Sequence, residues 1–97
     1  MMHIHHVNLH RFVGGGEIYT RALTRALLDA GARVTLYAHP EAKLWDELAS
    51  ARLERIPVEN ESQLLERLPS RGAVVLTQSP FSAPCIARLS ANHRLTG

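Results

Sequence analysis

The sequence predicts a parallel α/β fold, and three observations carry that reading. Short β-prone runs alternate with helical periodicity along the chain. The run Ala73 to Thr77, AVVLT, is apolar almost throughout, as in a central parallel strand buried on both faces. Three glycines, Gly14, Gly15 and Gly16, stand between the first β-prone run and the first helical one, where a strand must turn sharply into a helix.

His3 to His10, HIHHVNLH, reads as the first strand through Ile4, Val7 and Leu9. From Glu17 to Ala30 the residues Tyr19, Ala22, Leu23, Ala26, Leu27 and Ala30 recur at helical spacing. They predict a helix that buries this face and turns Arg21, Thr24, Arg25 and Asp29 outward. Gly31 follows as the left-handed residue of a helix end. Arg33 to Tyr37, RVTLY, predicts the second strand, and His39-Pro40 opens a helix over about Glu41 to Ser50 with Leu44, Trp45, Leu48 and Ala49 on one face. Leu53 to Val58 reads as a weaker third strand, which Pro57 suits to a sheet edge. Asn60 and Gln63 form a capping-box pattern ahead of Leu64, Leu65 and Leu68. After the fourth strand at Ala73 to Thr77, Ser82 caps a last helix to Ser90 that buries Ile86 and Leu89, and His93 to Gly97 reads as a tail.

Composition narrows the class. A chain of 97 residues makes one domain, and with 45% hydrophobic and 21% charged residues it is ordinary for a soluble protein. No apolar stretch approaches the ~20 residues of a membrane span, and Met1 to His10 lacks the features of a signal peptide, so the expected location is cytoplasmic. The net charge of +2 arises from ten arginines and one lysine interspersed with acids, which argues against nucleic-acid binding. A few of these arginines suffice for an anionic ligand or peripheral contact with a membrane surface. Cys85 is the single cysteine and has no disulfide partner in the chain.

The alternation βαβαβαβα, with right-handed crossovers, predicts a Rossmann-like sheet of strand order 3-2-1-4 with helices on both faces. It leaves the buried-type fourth strand at the sheet edge. The chain therefore reads as the N-terminal portion of a larger domain, and the exposed edge offers a surface for dimerisation. The glycine loop falls at the carboxyl edge of the sheet, beside the point where strand order reverses and ligands of open α/β sheets bind. Gly14, Gly15, Gly16 and Glu17, with His10 and Arg11 from the end of the first strand and Gln78 and Ser79 from the end of the fourth, are the candidate ligand-binding residues. Backbone amides at a glycine-lined helix start favour phosphate or sugar hydroxyls. Glu17 at that position also answers the helix dipole, and Gln78-Ser79-Pro80 also reads as a plain turn.

Other phosphate-binding patterns fit less well. Counted from Gly14, the third glycine of a dinucleotide fingerprint is replaced by Tyr19, and the second strand ends in Ala38-His39-Pro40 without a ribose-binding acid. No Gly-Lys-Ser/Thr completes a Walker loop, and no G-x-S-x-G surrounds Ser79. His3, His5, His6 and His10 do not form a metal site by pattern, because strand alternation sends His3 and His5 to one face and His6 and His10 to the other.

The run HVNLHRFVGGGEIYTRALTRALLDAGARVTLY resembles the start of family-4 retaining glycosyltransferases of the GT-B type, built of two Rossmann-like domains. It resembles a Gly-Gly-x-Glu-like loop, either as Gly15-Gly16-Glu17, one residue shorter, or as Gly14 to Glu17 with Gly16 as x, then the Leu-x-x-Ala-Leu helix and a Gly-x-x-Val-Thr entry to the second strand, with Arg33 where many members have a histidine, over about a third of the chain. The resemblance implies transfer of a sugar from a nucleotide-sugar donor to a sugar or glycolipid acceptor, with no separate cofactor and no metal in this part. It further implies that the glycine loop lies near the donor diphosphate, while most nucleotide and sugar contacts, including a glutamate pair, come from a C-terminal domain outside these residues. On that basis this fragment is inactive alone. A non-catalytic α/β binding or interaction module is the alternative reading.

Overall fold

The computed structural model describes residues 2–9, 15–40, 52–69, 72–77 and 81–96. Among these residues eight elements follow one another: β1 (His3–Asn8), α1 (Gly15–Asp29), β2 (Arg33–Ala38), β3 (Leu53–Pro57), α2 (Glu61–Arg67), β4 (Val74–Thr77), α3 (Ala83–Asn92) and β5 (Arg94–Thr96). The strands form one five-stranded sheet in the order β3-β2-β1-β4-β5, and every pairing is parallel. The order 3-2-1-4 expected from the alternation is present, with one strand added. The helix expected over residues 41–50 lies outside the described residues.

The sheet carries a helical layer on each face. Along β1 the side chains alternate: His6 and Asn8 turn to α1, whereas Val7 shares a core with Leu64 and Leu68 beside α2 and with Cys85 and Leu89 of α3. Register carries the alternation across the sheet, since Val7 pairs with Tyr37 and Thr77, and His5 with Thr35 and Val75. Val7, Tyr37, Val58, Leu64, Val75 and Leu89 are all at or below 1% exposure, so the main apolar core sits on the α2 and α3 side.

Local sequence explains the ends of the elements. Gly31 has φ +92°, and Ala32 N–H donates to Leu27 O while Gly31 N–H donates to Leu28 O, the Schellman arrangement that its glycine predicts. Asn60 caps α2: its Oδ1 accepts from Gln63 N–H at 2.9 Å, and Gln63 Oε1 accepts from Glu59 N–H at 2.8 Å. The reciprocal bond thus falls one residue before the cap, a variant of the predicted box. Ser82 caps α3, with its Oγ accepting from Cys85 N–H at 3.4 Å.

Four expectations are corrected. The tail expected from His93 onward contains β5, whose Arg94 N–H donates to Ala73 O at 2.9 Å, so the outer sheet edge belongs to β5 and not to the fourth strand. The first strand ends at Asn8 and the first helix begins at Gly15, so two of the glycines lie inside the helix. The buried face of α1 also differs. Thr20, Thr24 and Leu28, four residues apart, are buried, while Tyr19, Ala22, Ala26 and Ala30 are exposed and Leu23 and Leu27 are half-buried. The helix is rotated so that two hydroxyls meet His6 and Asn8, because polar side chains on β1 offer partners that an alanine face lacks. In α3, likewise, Leu89 and Cys85 are buried but Ile86 is 42% exposed.

Candidate functional site

The carboxyl ends of β1 and β4 lie side by side, with Val7 paired to Thr77 in the last register step. β2 follows β1 on one side and β4 flanks it on the other, so strand order reverses here. Of the predicted ligand residues, Gly15, Gly16 and Glu17 are the first three residues of α1, which returns from this edge. Gly14, His10, Arg11, Gln78 and Ser79 lie outside the described residues. The first amides of a helix have no intrahelical partner, and here two of the residues that carry them are glycines.

Directly beneath that helix start runs a buried polar seam. Asn8 Nδ2 donates to Thr20 Oγ1 at 2.9 Å, and His6 Nδ1 is hydrogen-bonded to Thr24 Oγ1 at 2.9 Å. All four residues have 0% exposure. Burial pushes the His6 imidazole down to about 4 from 6.5, so it is neutral at pH 7. Its Nε2 has no hydrogen-bond partner, alone among the buried side-chain polar atoms of the described residues. A buried polar atom left unsatisfied costs about 1–3 kcal/mol, so the fold keeps His6 against an energetic penalty. Pattern reading missed Thr20 and Thr24 because it assigned helix faces by hydrophobicity. The signal that finds them is polar residues two apart on a strand, His6 and Asn8, facing hydroxyls four apart on the next helix.

The neighbouring helix start is already satisfied from within. Ser82 N–H and Ser82 Oγ–H both donate to the Glu61 carboxylate at 2.7 Å, which holds that carboxyl below its usual range, the hydroxyl contributing most. The two helix starts therefore present different chemistry: α3 meets a carboxylate from α2, and α1 opens on glycines.

The other strand histidines serve the sheet. His5 Nδ1 is hydrogen-bonded to Tyr37 OH at 2.9 Å, and His3 Nε2 to Thr35 Oγ1 at 2.7 Å, with the His3 and His5 rings 4.3 Å apart. Burial, then the neighbouring His3 and His93, pushes His5 down to about 4, and burial followed by the charge of Glu54 pushes Tyr37 up to about 12. Among the described residues no group of three or more histidine, cysteine or acidic side chains is arranged to hold a metal ion. A cavity of about 270 Å³ lies at the opposite end of the helices, between the last turns of α2 and α3, lined by Glu66, Arg88 and His93 among others. It is remote from the predicted crevice.

These features define an α/β protein with a five-stranded parallel sheet and helices on both faces, compatible with a Rossmann-like fold. No helix of the described residues is long and apolar enough to cross a membrane. No protein family, curated protein or solved structure matches the chain.

Proposed function

We propose that the chain forms the N-terminal, acceptor-side portion of a GT-B retaining glycosyltransferase, in which the glycine start of α1 faces the diphosphate of a nucleotide-sugar donor. The observation that carries the reading is the opening of α1 on Gly15 and Gly16 at the β1/β4 switch point. Backbone donors there suit charge that develops on a leaving diphosphate in a closed cleft. Transfer itself requires the second domain that the sequence resemblance implies. Ile18 and Tyr19, 54% and 57% exposed beside the glycines, give an apolar rim suited to a glycolipid acceptor or a membrane surface.

Titration of the protein with a panel of nucleoside diphosphate sugars, followed by the amide resonances of Gly15 and Gly16, tests the reading. Saturable shifts confined to this edge are expected, and Gly15→Trp removes them. Unmoved glycine resonances across the panel sink the proposal.

A second reading, a non-catalytic α/β interaction module, is favoured by the pairing of β5 with β4, which carries the sheet one strand beyond the edge that the sequence predicted. In that case the partner pairs with the outer edge of β5, or two copies pair there. Light scattering that shows a dimer abolished by Leu95→Pro, with no nucleotide-sugar response, selects this alternative.

A further inference from the structure

We infer that Asn8, Thr20, His6 and Thr24 are positioning residues that fix the height of α1 on β1 and thereby the place of the Gly15 and Gly16 amides.

The geometry is a ladder. Two residues along β1 advance about 6.6 Å and four residues along a helix about 6 Å, so His6 meets Thr24 and Asn8 meets Thr20 with little mismatch. The same progression leads down to Ile4 and Leu28, both 6% exposed, and up to Gly16, four residues before Thr20. An apolar helix–sheet contact is non-directional and tolerates small slides. Hydrogen bonds fail within a few tenths of an ångström and at poor angles. Two such bonds in a row exclude both a slide of α1 along the strand and a rotation about its axis. The orphaned Nε2 of His6 indicates that the seam is not arranged for stability alone, since an apolar pair at positions 6 and 24 would leave no unsatisfied side-chain atom. The part of this inference that concerns ligand rests on the proposed function. The positional part stands without it.

The experiment replaces the upper pair by apolar residues, Asn8→Leu with Thr20→Val, and compares it with Thr20→Ser, which keeps the hydroxyl. Thermal stability, the amide resonances of Gly15 and Gly16, and affinity for inorganic pyrophosphate are measured on each. The double variant is expected to remain folded, to move both glycine resonances and to bind pyrophosphate about tenfold more weakly, while Thr20→Ser keeps the parent values. A folded double variant whose glycine resonances coincide with the parent overturns the inference. Moved resonances in a protein that binds no pyrophosphate support the positioning role and count against the donor reading instead. If the double variant does not fold, His6→Leu with Thr24→Val carries the same comparison lower on the seam.

Discussion

The Asn8 carboxamide donates to Thr20 Oγ1 across a fully buried interface, tying the last residue of β1 to the second turn of α1. Thr20→Val alone leaves that donor facing a methyl group and is expected to destabilise the protein by about 1–3 kcal/mol. In the Thr20→Val background, Asn8→Leu is expected to cost less than it does in the parent, because the donor left unpaired by Thr20→Val is removed with it. Urea denaturation of the four proteins of this double-mutant cycle measures the coupling, and additive losses contradict the bond.

Acid should weaken the fold through two buried imidazoles. His5 and His6 have folded pKa values of about 4 against 6.5 for the free side chain. The unfolded chain therefore binds more protons in that window. Their contribution is complete above pH 6.5 and is lost as pH falls toward 4, at roughly 1.4 kcal/mol per pH unit for each group. Urea midpoints between pH 7 and pH 4.5 should show the decline, and His6→Leu should remove about half of the slope. A flat profile over that range would show that both imidazoles stay accessible to protons.

Ser82 serves two elements at once, capping α3 and holding Glu61 of α2. Ser82→Ala is expected to lower stability by about 1 kcal/mol, the usual loss for a helix cap. The folded carboxyl of Glu61 lies below its usual range, so its share is present above the free glutamate pKa and disappears as pH falls through the folded value. A carbon-13 pH titration of Glu61 in the parent and in Ser82→Ala should show the variant's pKa returning toward the ordinary value.

Leu89 of α3 is fully buried in the core with Val7 and Val75. Leu89→Ala should cost about 2–5 kcal/mol, with the same loss in thermal and chemical denaturation. A smaller effect than Ile86→Ala, at a residue 42% exposed, would reverse the assigned face of α3.

Much of the architecture was legible because β-branched runs and helical spacing report element type directly. RVTLY became β2, and Asn60 and Ser82 marked helix starts that the structure keeps. β5 was not legible, since the three residues RLT are too short to display alternation and are fixed by long-range bonds such as Arg94 N–H to Ala73 O. The orientation of α1 was misread for a different reason. Its hydrophobic stripe and its buried stripe are distinct, and only the polar side chains of β1 decide which one turns inward. For the candidate site, the glycine pattern located a helix start, but the pairs that hold that start in place are invisible to a motif.

The placement of alanines outside and threonines inside on α1 has a bearing on how this protein responds to selection. A library screened for heat resistance alone should drift toward valine at 20 and 24 and leucine at 6 and 8, since apolar replacement of a whole buried pair is nearly neutral or favourable. A library screened for ligand capture should hold the polar set. Divergence of those four positions between two such screens would separate what the chain needs in order to fold from what it needs in order to work.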